Sequence, residues 1–239
     1  MTVQTAIPHE GETHESSHQS TLNWLRAGVL GANDGIVSVA AIVMGVIAAG
    51  QSNTVIATTG LAATVAGAVS MALGEYVSVS AQRDTEQALI AKERHELTHL
   101  PREEHAEMVA ILQGYGVSAA TAEQAVTEIE QGDPLDVHLQ LELGIDPEEL
   151  TSPLVAAFSS AGAFTVGAAL PLLAVLVSPQ SIAAVVLLAV TLLTLALTGA
   201  ISAGVSKTSR LRSMLRLVLG GAAGLAVTYG VGLLIGTSL

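Results

Sequence analysis

Two carboxylates lie inside stretches of the sequence that are otherwise apolar enough to cross a membrane. Asp34 occurs in "GANDGIVSV", residues 31–39, and Glu75 occurs in "MALGEYVSV", residues 71–79. An ionisable side chain in hydrocarbon is costly, so such residues mark ion or proton paths unless they form a structural hydrogen bond to another helix. Two nearby carboxylates in a low-dielectric interior either share a proton or bind a cation. The pair therefore predicts proton-coupled cation transport.

A methionine accompanies one of these carboxylates. Met71 precedes Glu75 by one helical turn and lies on the same predicted face. A thioether ligand favours a transition metal over Ca²⁺ or Mg²⁺, although methionine in a helix often serves only as apolar packing. With a rise of about 1.5 Å per residue, Asp34 and Glu75 lie at matching depths, roughly 10 Å from one membrane face. We therefore predict a transport path that contains Asp34, Met71 and Glu75.

A polar insert over residues 83–150 carries 16 of the 21 acidic residues and supplies a second set of candidate ligands. Glu93 and Glu96 are spaced i, i+3 on one predicted helix, and Glu104 and Glu107 are spaced likewise on the next, so each pair faces one way. A proline between the two helices would fold one pair back towards the other and create an oxygen-rich metal site. The alternative is a solvated acidic surface with ordinary helix pairing.

Four histidines of the insert could add imidazole ligands, although each alone is more typical of a protein surface. These are His95, His99, His105 and His138. Glu96 and His99 have the Glu-x-x-His spacing of di-iron carboxylate bundles, but such a site needs a second copy, and the insert contains one. The single copy counts against a membrane-anchored ferroxidase, which, with a metal sensor, is kept as an alternative to a transporter. The tail repeats the spacing within "HEGETHESSHQS", which we interpret as disordered.

The elements that must position these residues are helices. Five apolar segments are long enough to cross a hydrocarbon core of about 30 Å, near residues 27–49, 54–81, 154–177, 181–205 and 213–236. The sequence thus predicts an all-α integral membrane protein with five transmembrane helices and a cytoplasmic helical metal-binding insert between spans 2 and 3. The predicted domains are a disordered cytoplasmic tail over 1–22, spans 1 and 2 over 23–82, the insert over 83–150, and spans 3 to 5 over 151–239.

Local signals divide the insert into helices. The stretch "SAQRDTEQALIAKERHELTHL" continues the helical pattern of span 2 and contains no glycine or proline before Pro101. It therefore predicts that span 2 leaves the membrane as one long helix. A second helix is predicted over 102–113, a third from its N-cap Ser118, and a fourth after Asp133, ending at Gly144. In the membrane, glycines four residues apart predict close helix contacts. These pairs are Gly31 and Gly35, Gly220 and Gly224, and Gly232 and Gly236, and Pro171 predicts a kink in span 3.

Composition excludes several functions and sets the orientation. The chain of 239 residues is 50% hydrophobic, contains no cysteine and has a formal charge of −12, which excludes thiolate ligands and argues against nucleic-acid binding. All nine cations fall on one side of the predicted spans, at Arg26, Arg83, Lys92, Arg94, Arg102, Lys207, Arg210, Arg212 and Arg216. Because cations near helix ends stay cytoplasmic, the N-terminus and insert are predicted to face the cytoplasm.

Four segments together resemble the vacuolar iron transporter family, in its short prokaryotic form. They are "GANDGIVSVAAIVMGV", "MALGEYVSVSAQRDTE", "ELGIDPEEL" and "GGAAGLAVTYGVGLLIG". The resemblance covers nearly the whole chain from Leu22. It implies a five-helix homodimer in a bacterial-type cell membrane that exports Fe²⁺, and possible substrates such as Mn²⁺, from the cytoplasm in exchange for protons. The metal would be a substrate, and neither a prosthetic group nor an enzymatic activity is expected.

The resemblance also implies roles for individual residues. The family's membrane path corresponds to Asp34 and Met71, with Glu75 beside them. The family's cytoplasmic metal-binding glutamates correspond to Glu93, Glu96, Glu104, Glu107 and Glu142. Where the eukaryotic pattern has adjacent Met and Glu before the last of these, this chain has His138-Leu139, and His138 is included among the predicted metal ligands.

Overall fold

The protein is helical throughout the residues that its computed structural model describes, which are 17–146 and 151–236, with side chains from residue 28 onward except at residue 205. The helices are α1 (Ser17–Ala48), α2 (Asn53–His99), α3 (Pro101–Gly114), α4 (Ala119–Glu130), α5 (Pro134–Leu141), α6 (Pro153–Leu176), α7 (Ala183–Val205) and α8 (Arg210–Gly236), with a 3-10 turn at Gln180–Ile182 before α7. No strand occurs in the described ranges.

Five of these helices are long and apolar enough to cross a membrane, which confirms the predicted all-α, five-span architecture. The candidate spans lie at Gly28–Ala48, within Asn53–His99, and at Pro153–Leu176, Gln180–Gly204 and Arg210–Gly236. One boundary differs from the prediction: the sequence predicts a disordered tail through residue 22, whereas residues 17–22 form the first turns of α1. No glycine or proline separates them from the apolar span, so the helix continues through them. The rest of the predicted tail lies outside the described residues.

Two compact units divide the chain, and their boundary falls within α2. One comprises Met1–Tyr76 with Leu154–Leu239, and the other is Val77–Pro153. In the first unit, α1 packs against α7 and α8. A central apolar cluster draws on α1, α2, α6, α7 and α8 and includes Val39, Val43, Ile56, Phe164, Leu172, Leu187 and Leu225. The apolar positions of α1 in this cluster recur every three or four residues, which gives the helix one buried face.

Small residues and one polar bridge fix α1 in this unit. Gly35 lies against the backbone of Phe164, and Gly232 of α8 lies against the backbone of Gly45. The hydroxyl of Thr198 on α7 donates a hydrogen bond of 2.8 Å to the Oδ1 atom of Asn33. The next residue, Asp34, is exposed.

The second unit begins in the C-terminal part of α2 and contains α3, α4 and α5. The long helix ends at His99 because Pro101 disfavours the helical conformation at Leu100, which adopts φ −126° and ψ 44°. Met108, Val109, Ala122 and Val126 form the apolar contact between α3 and α4. The helix starts agree with the sequence signals, since the Ser118 hydroxyl caps α4 and the Asp133 carboxylate caps α5. Helix α5 ends at Leu141, three residues before the predicted stop at Gly144.

Candidate metal centre

Four potential metal ligands converge within the second unit. They are Glu93 of α2, Glu104 of α3, His138 of α5 and Glu142, which caps the end of α5. One ligand atom from each residue lies within 4.8 Å of the other three. We call these four residues the acidic cluster. In the part of the chain that the structure describes, no other group of three or more carboxylate or imidazole ligands comes this close together.

The local sequence explains how each helix presents its ligand. The break at Leu100 reverses the chain, so that Glu104, in the first turn of α3, faces the same cluster as Glu93. The first turn also suits a carboxylate, because the amide dipoles at a helix N-terminus favour negative charge. His138 and Glu142 are four residues apart and therefore share one face of the last turn.

The ligand atoms are buried and lack hydrogen-bond partners. The Nδ1 atom of His138 lies 3.0 Å from Oε1 of Glu93, 3.6 Å from Oε2 of Glu104 and 3.7 Å from Oε2 of Glu142. None of these four atoms has a partner with hydrogen-bond geometry among the described residues. The side chains of Glu93 and His138 are each 2% exposed. Buried polar atoms are normally satisfied, and a cation at the centre of the cluster would satisfy all four atoms at once.

The electrostatics of the acidic cluster favour protonation when no cation is bound. Burial raises the pKa of Glu93, and the negative charge of Glu142 raises it further. Burial likewise raises the pKa of Glu104, with the charge of Glu93 adding to the effect. The pKa of Glu142 is raised first by burial and then by the charge of Glu107. Protons and a divalent cation would therefore compete for these carboxyls.

Two of the predicted glutamate ligands lie outside the acidic cluster. The Oε2 atom of Glu96 forms an ion pair of 2.6 Å with the Lys92 ammonium, one turn earlier on α2. Glu107 is exposed, although its charge acts on the carboxyls of Glu104 and Glu142. The structure thus brings together one glutamate from each predicted i, i+3 pair, together with Glu142 and His138.

The other histidines of the insert have different surroundings. His105 bridges α3 to α4, with Nδ1 at 2.9 Å from Oε1 of Glu130 and Nε2 at 3.3 Å from Oε1 of Glu123. The hydrogen bond to Glu130 is the main reason that the pKa of His105 is raised. His95 and His99 are exposed and stack with their ring centroids 3.9 Å apart. The sequence signal that could have singled out His138 is its i, i+4 spacing to Glu142.

The predicted path residues all belong to the first unit. Asp34 is exposed on α1, and its Oδ1 atom accepts a hydrogen bond of 2.6 Å from the Ser38 hydroxyl. Glu75 is half-buried on α2. Met71 is half-buried and packs against the central apolar cluster, a contact that fits its alternative role in packing. None of the three belongs to the acidic cluster.

Comparison with known proteins adds a family assignment to this geometry. The sequence matches the model of the VIT family over residues 25–233. It is 40% identical to "Vacuolar iron transporter" of Acanthamoeba castellanii, over 94% of this chain and 83% of that protein. It is 34% identical to "Vacuolar iron transporter homolog 2.1" of Arabidopsis thaliana, over 95% of this chain and 88% of that protein. Identity to "Vacuolar iron transporter homolog 1" of Oryza sativa subsp. japonica is 39%, over 87% and 72% of the two chains.

Proposed function

The chain belongs to the VIT family, and on this premise we propose that it exports Fe²⁺ from the cytoplasm across a membrane in exchange for protons. The names of its relatives support iron as the substrate. Mn²⁺ and other divalent transition metals are further candidate substrates, because carboxylates discriminate poorly among such ions. The metal is cargo in this proposal, and the protein is a transporter without a prosthetic group and without an enzymatic step.

The observation that carries the proposal is the acidic cluster. Three carboxylates and one imidazole, with four buried ligand atoms that lack hydrogen-bond partners, form a site suited to a divalent cation. In the proposed function, the cluster captures metal from the cytoplasm and supplies it to the membrane path. Glu96 and Glu107 would contribute negative charge near the cluster rather than direct ligands to the captured ion.

In the membrane, we assign the path to Asp34 and Glu75, with Met71 as a possible thioether ligand. Each carboxylate would hold a proton in one state and share a metal ion in the other. This exchange would keep the net charge in the low-dielectric interior small. Loss of the metal on the far side would then be coupled to the return of protons, which is the basis of the proposed antiport.

The exposure of Asp34 is the reason to propose a partner chain. On α1, this carboxylate lies between Leu30 and Ile42, whose exposed fractions are 59% and 45%. A carboxylate on a lipid-facing surface is costly. A second copy of the chain against this face of α1 would shield Asp34 from lipid and would give the path two copies of each ligand. We therefore propose a homodimer formed along α1.

The proposed orientation follows from the cations. Lys207, Arg210 and Arg212 lie at the connection between α7 and α8, and further cations lie in the insert. The connections from α1 to α2 and from α6 to α7 contain neither Lys nor Arg. By the positive-inside rule, the N-terminus and the insert would face the cytoplasm of a bacterial-type cell.

Flux measurements in proteoliposomes test this proposal. Vesicles with an imposed pH gradient would be supplied in turn with Fe²⁺, Mn²⁺, Zn²⁺ and Co²⁺, and metal and proton fluxes would be recorded together. We expect gradient-dependent Fe²⁺ flux that is lost in the Asp34→Asn and Glu75→Gln variants, while metal binding by the insert persists. Vesicles that are equally tight with and without the protein would contradict the proposal. Dioxygen consumption on adding Fe²⁺, without metal flux, would instead indicate a ferroxidase.

A further inference from the structure

The acidic cluster has a mixed ligand set, because one of its four ligand atoms is nitrogen. All-oxygen sites suit Mg²⁺, Ca²⁺ and Mn²⁺, whereas imidazole suits Fe²⁺, Ni²⁺, Zn²⁺ and Cu²⁺, and Co²⁺ lies between Fe²⁺ and Ni²⁺ in the order of affinity. His138 is the cluster's nitrogen donor, and its side chain is 2% exposed. Its Nδ1 atom points at three carboxylate oxygens without a hydrogen-bond partner among the described residues. The buried imidazole with an unsatisfied ring nitrogen therefore points to a bound ion independently of the carboxylates.

The dimensions of the acidic cluster suit one metal ion, and the number and type of its ligand atoms favour a transition metal. For bonds of about 2.1 Å, ligands around a tetrahedral or octahedral ion are separated by about 3.0–3.4 Å along the edges. The Nδ1 atom of His138 lies 3.0 Å from one carboxylate oxygen, within this range, and 3.6 and 3.7 Å from the other two, slightly above it. By contrast, Ca²⁺ takes about six to eight oxygen ligands at longer distances, and Mg²⁺ retains several waters. Four buried ligand atoms that include a nitrogen suit neither ion.

Two nearby carboxylates lie outside the acidic cluster. Glu96, which could have extended it along α2, is held by the Lys92 ammonium at 2.6 Å. Glu107 is exposed on α3. With these two carboxylates outside, a single ion would have three oxygen ligands and one nitrogen ligand, so the nitrogen forms a large share of its coordination.

We propose that His138 determines the metal preference of the acidic cluster, by binding a single ion through Nδ1 and favouring Fe²⁺, Co²⁺, Ni²⁺ and Zn²⁺ over Mn²⁺, Mg²⁺ and Ca²⁺. The inference rests on the proposed function, which makes the cluster the capture site for the transported metal. Binding through Nδ1 requires the neutral tautomer that carries its proton on Nε2.

Binding of Co²⁺ and Mn²⁺ to the full-length protein in detergent tests the inference. The Asp34→Asn/Glu75→Gln background would remove the path ligands, so that binding reports the insert. In this background we expect His138→Gln to lower the ratio of Co²⁺ to Mn²⁺ affinity by about tenfold. Substitutions around a metal site typically lower metal affinity by an amount in this range. The matched control is His99→Gln, which removes an exposed histidine of the same insert and should leave the ratio unchanged.

A spectroscopic readout separates a ligand from a structural residue. Pulsed electron paramagnetic resonance of bound Mn²⁺ should show coupling to an imidazole nitrogen in the parent and in His99→Gln, and no such coupling in His138→Gln. If His138→Gln binds no metal, His138→Asp restores a fourth oxygen ligand, and its Co²⁺ to Mn²⁺ ratio should be lower than that of the parent.

The outcomes distinguish this inference from the proposed function. An unchanged affinity ratio in the His138 variants, or nitrogen coupling that persists in them, would overturn the inference and leave the capture site intact. Absence of metal binding by the insert of the parent protein would overturn both. A ratio that falls as expected, in a protein that moves no metal across vesicles, would support the role of His138 and reject the transport proposal.

Discussion

The carboxyls of the acidic cluster determine how the stability of the metal-free insert depends on pH. The pKa values of Glu93, Glu104 and Glu142 are raised above the ordinary value of 4.5. Over the pH range between 4.5 and the raised values, the folded state binds more protons than the unfolded state. The free energy of unfolding therefore falls as the pH rises through this range. The raised pKa of His105 acts in the same direction at higher pH.

We therefore expect the thermal midpoint of the metal-free protein to rise when the pH is lowered from about 7 to about 4.5, the ordinary pKa of a glutamate carboxyl. Replacing Glu93 by Gln should reduce this dependence, because it removes a buried charge and part of the repulsion within the cluster. Thermal unfolding in one detergent at both pH values, with the metal chelated, provides the measurement. Equal pH dependence in the parent and in Glu93→Gln would argue against a repulsive cluster.

Some residues of the acidic cluster could be predicted from the sequence, and others could not. The i, i+3 spacing directed attention to Glu93 and Glu104, which do converge. Residues three apart on a helix differ by about 60° in direction, so the second member of each pair points aside. Glu96 lies outside the acidic cluster and forms an ion pair with Lys92. His138 is among the predicted ligands and has a local signal in its i, i+4 spacing to Glu142, but only the packing of α5 places it beside carboxylates from two other helices.

At the scale of elements, the helices follow signals that are local in sequence. Pro101 ends α2, and Ser118 and Asp133 cap the next helices. Apolar length alone placed the five spans. What the sequence did not provide was which glycines make contacts, since this depends on the rotation of each helix. Gly220, from a predicted contact pair, has open space around it, whereas its neighbour Gly221 lies against Leu195.

This difference between glycines predicts opposite effects of the same substitution. A Cβ atom at Gly35 would overlap the backbone of Phe164, which cannot rotate away, whereas a Cβ at Gly220 would meet nothing within 4 Å. We expect Gly35→Ala to destabilise the protein by about 1–3 kcal/mol. Gly220→Ala should be neutral or stabilising by up to about 1 kcal/mol, because alanine favours a helix. Thermal midpoints in one detergent provide the comparison, and equal midpoints would contradict the contact between α1 and α6.

At the scale of the whole molecule, the two candidate sites belong to different compact units. The acidic cluster lies in Val77–Pro153, and the path residues Asp34 and Glu75 lie in the other unit. If capture and passage are separate steps, they should affect transport kinetics differently. A capture site determines how much metal is available at low concentration, whereas the path determines the maximal rate.

Substitutions in the two units should therefore change different kinetic parameters: KM for the acidic cluster, and the maximal rate for the membrane path. We expect Glu104→Gln to raise the Fe²⁺ concentration for half-maximal flux about tenfold, as expected for a change at a metal site, with most of the maximal rate retained. Asp34→Asn should abolish the maximal rate. The control is Glu103→Gln, which removes an exposed carboxylate beside Glu104 and should leave both parameters near those of the parent. Initial rates in proteoliposomes across a range of Fe²⁺ concentrations give KM and the maximal rate. A lowered maximal rate in Glu104→Gln would show that capture and passage are not separate steps.

The absence of cysteine from the chain makes the proposed dimer directly testable, because a single introduced cysteine cannot form a disulfide within one chain, and a crosslinked product of twice the chain's mass identifies a second copy. Leu30 and Ile42 are exposed on the α1 face that carries Asp34, and Val185 is exposed on α7. We expect oxidation in native membranes to link Leu30→Cys or Ile42→Cys into covalent dimers, because these positions would meet across a two-fold axis, and to leave Val185→Cys monomeric. A disulfide requires Cα atoms within about 7 Å, so random collisions in the membrane give little product. Equal crosslinking at Val185, or none on α1, would place the contact elsewhere and leave Asp34 without the shielding that its position requires.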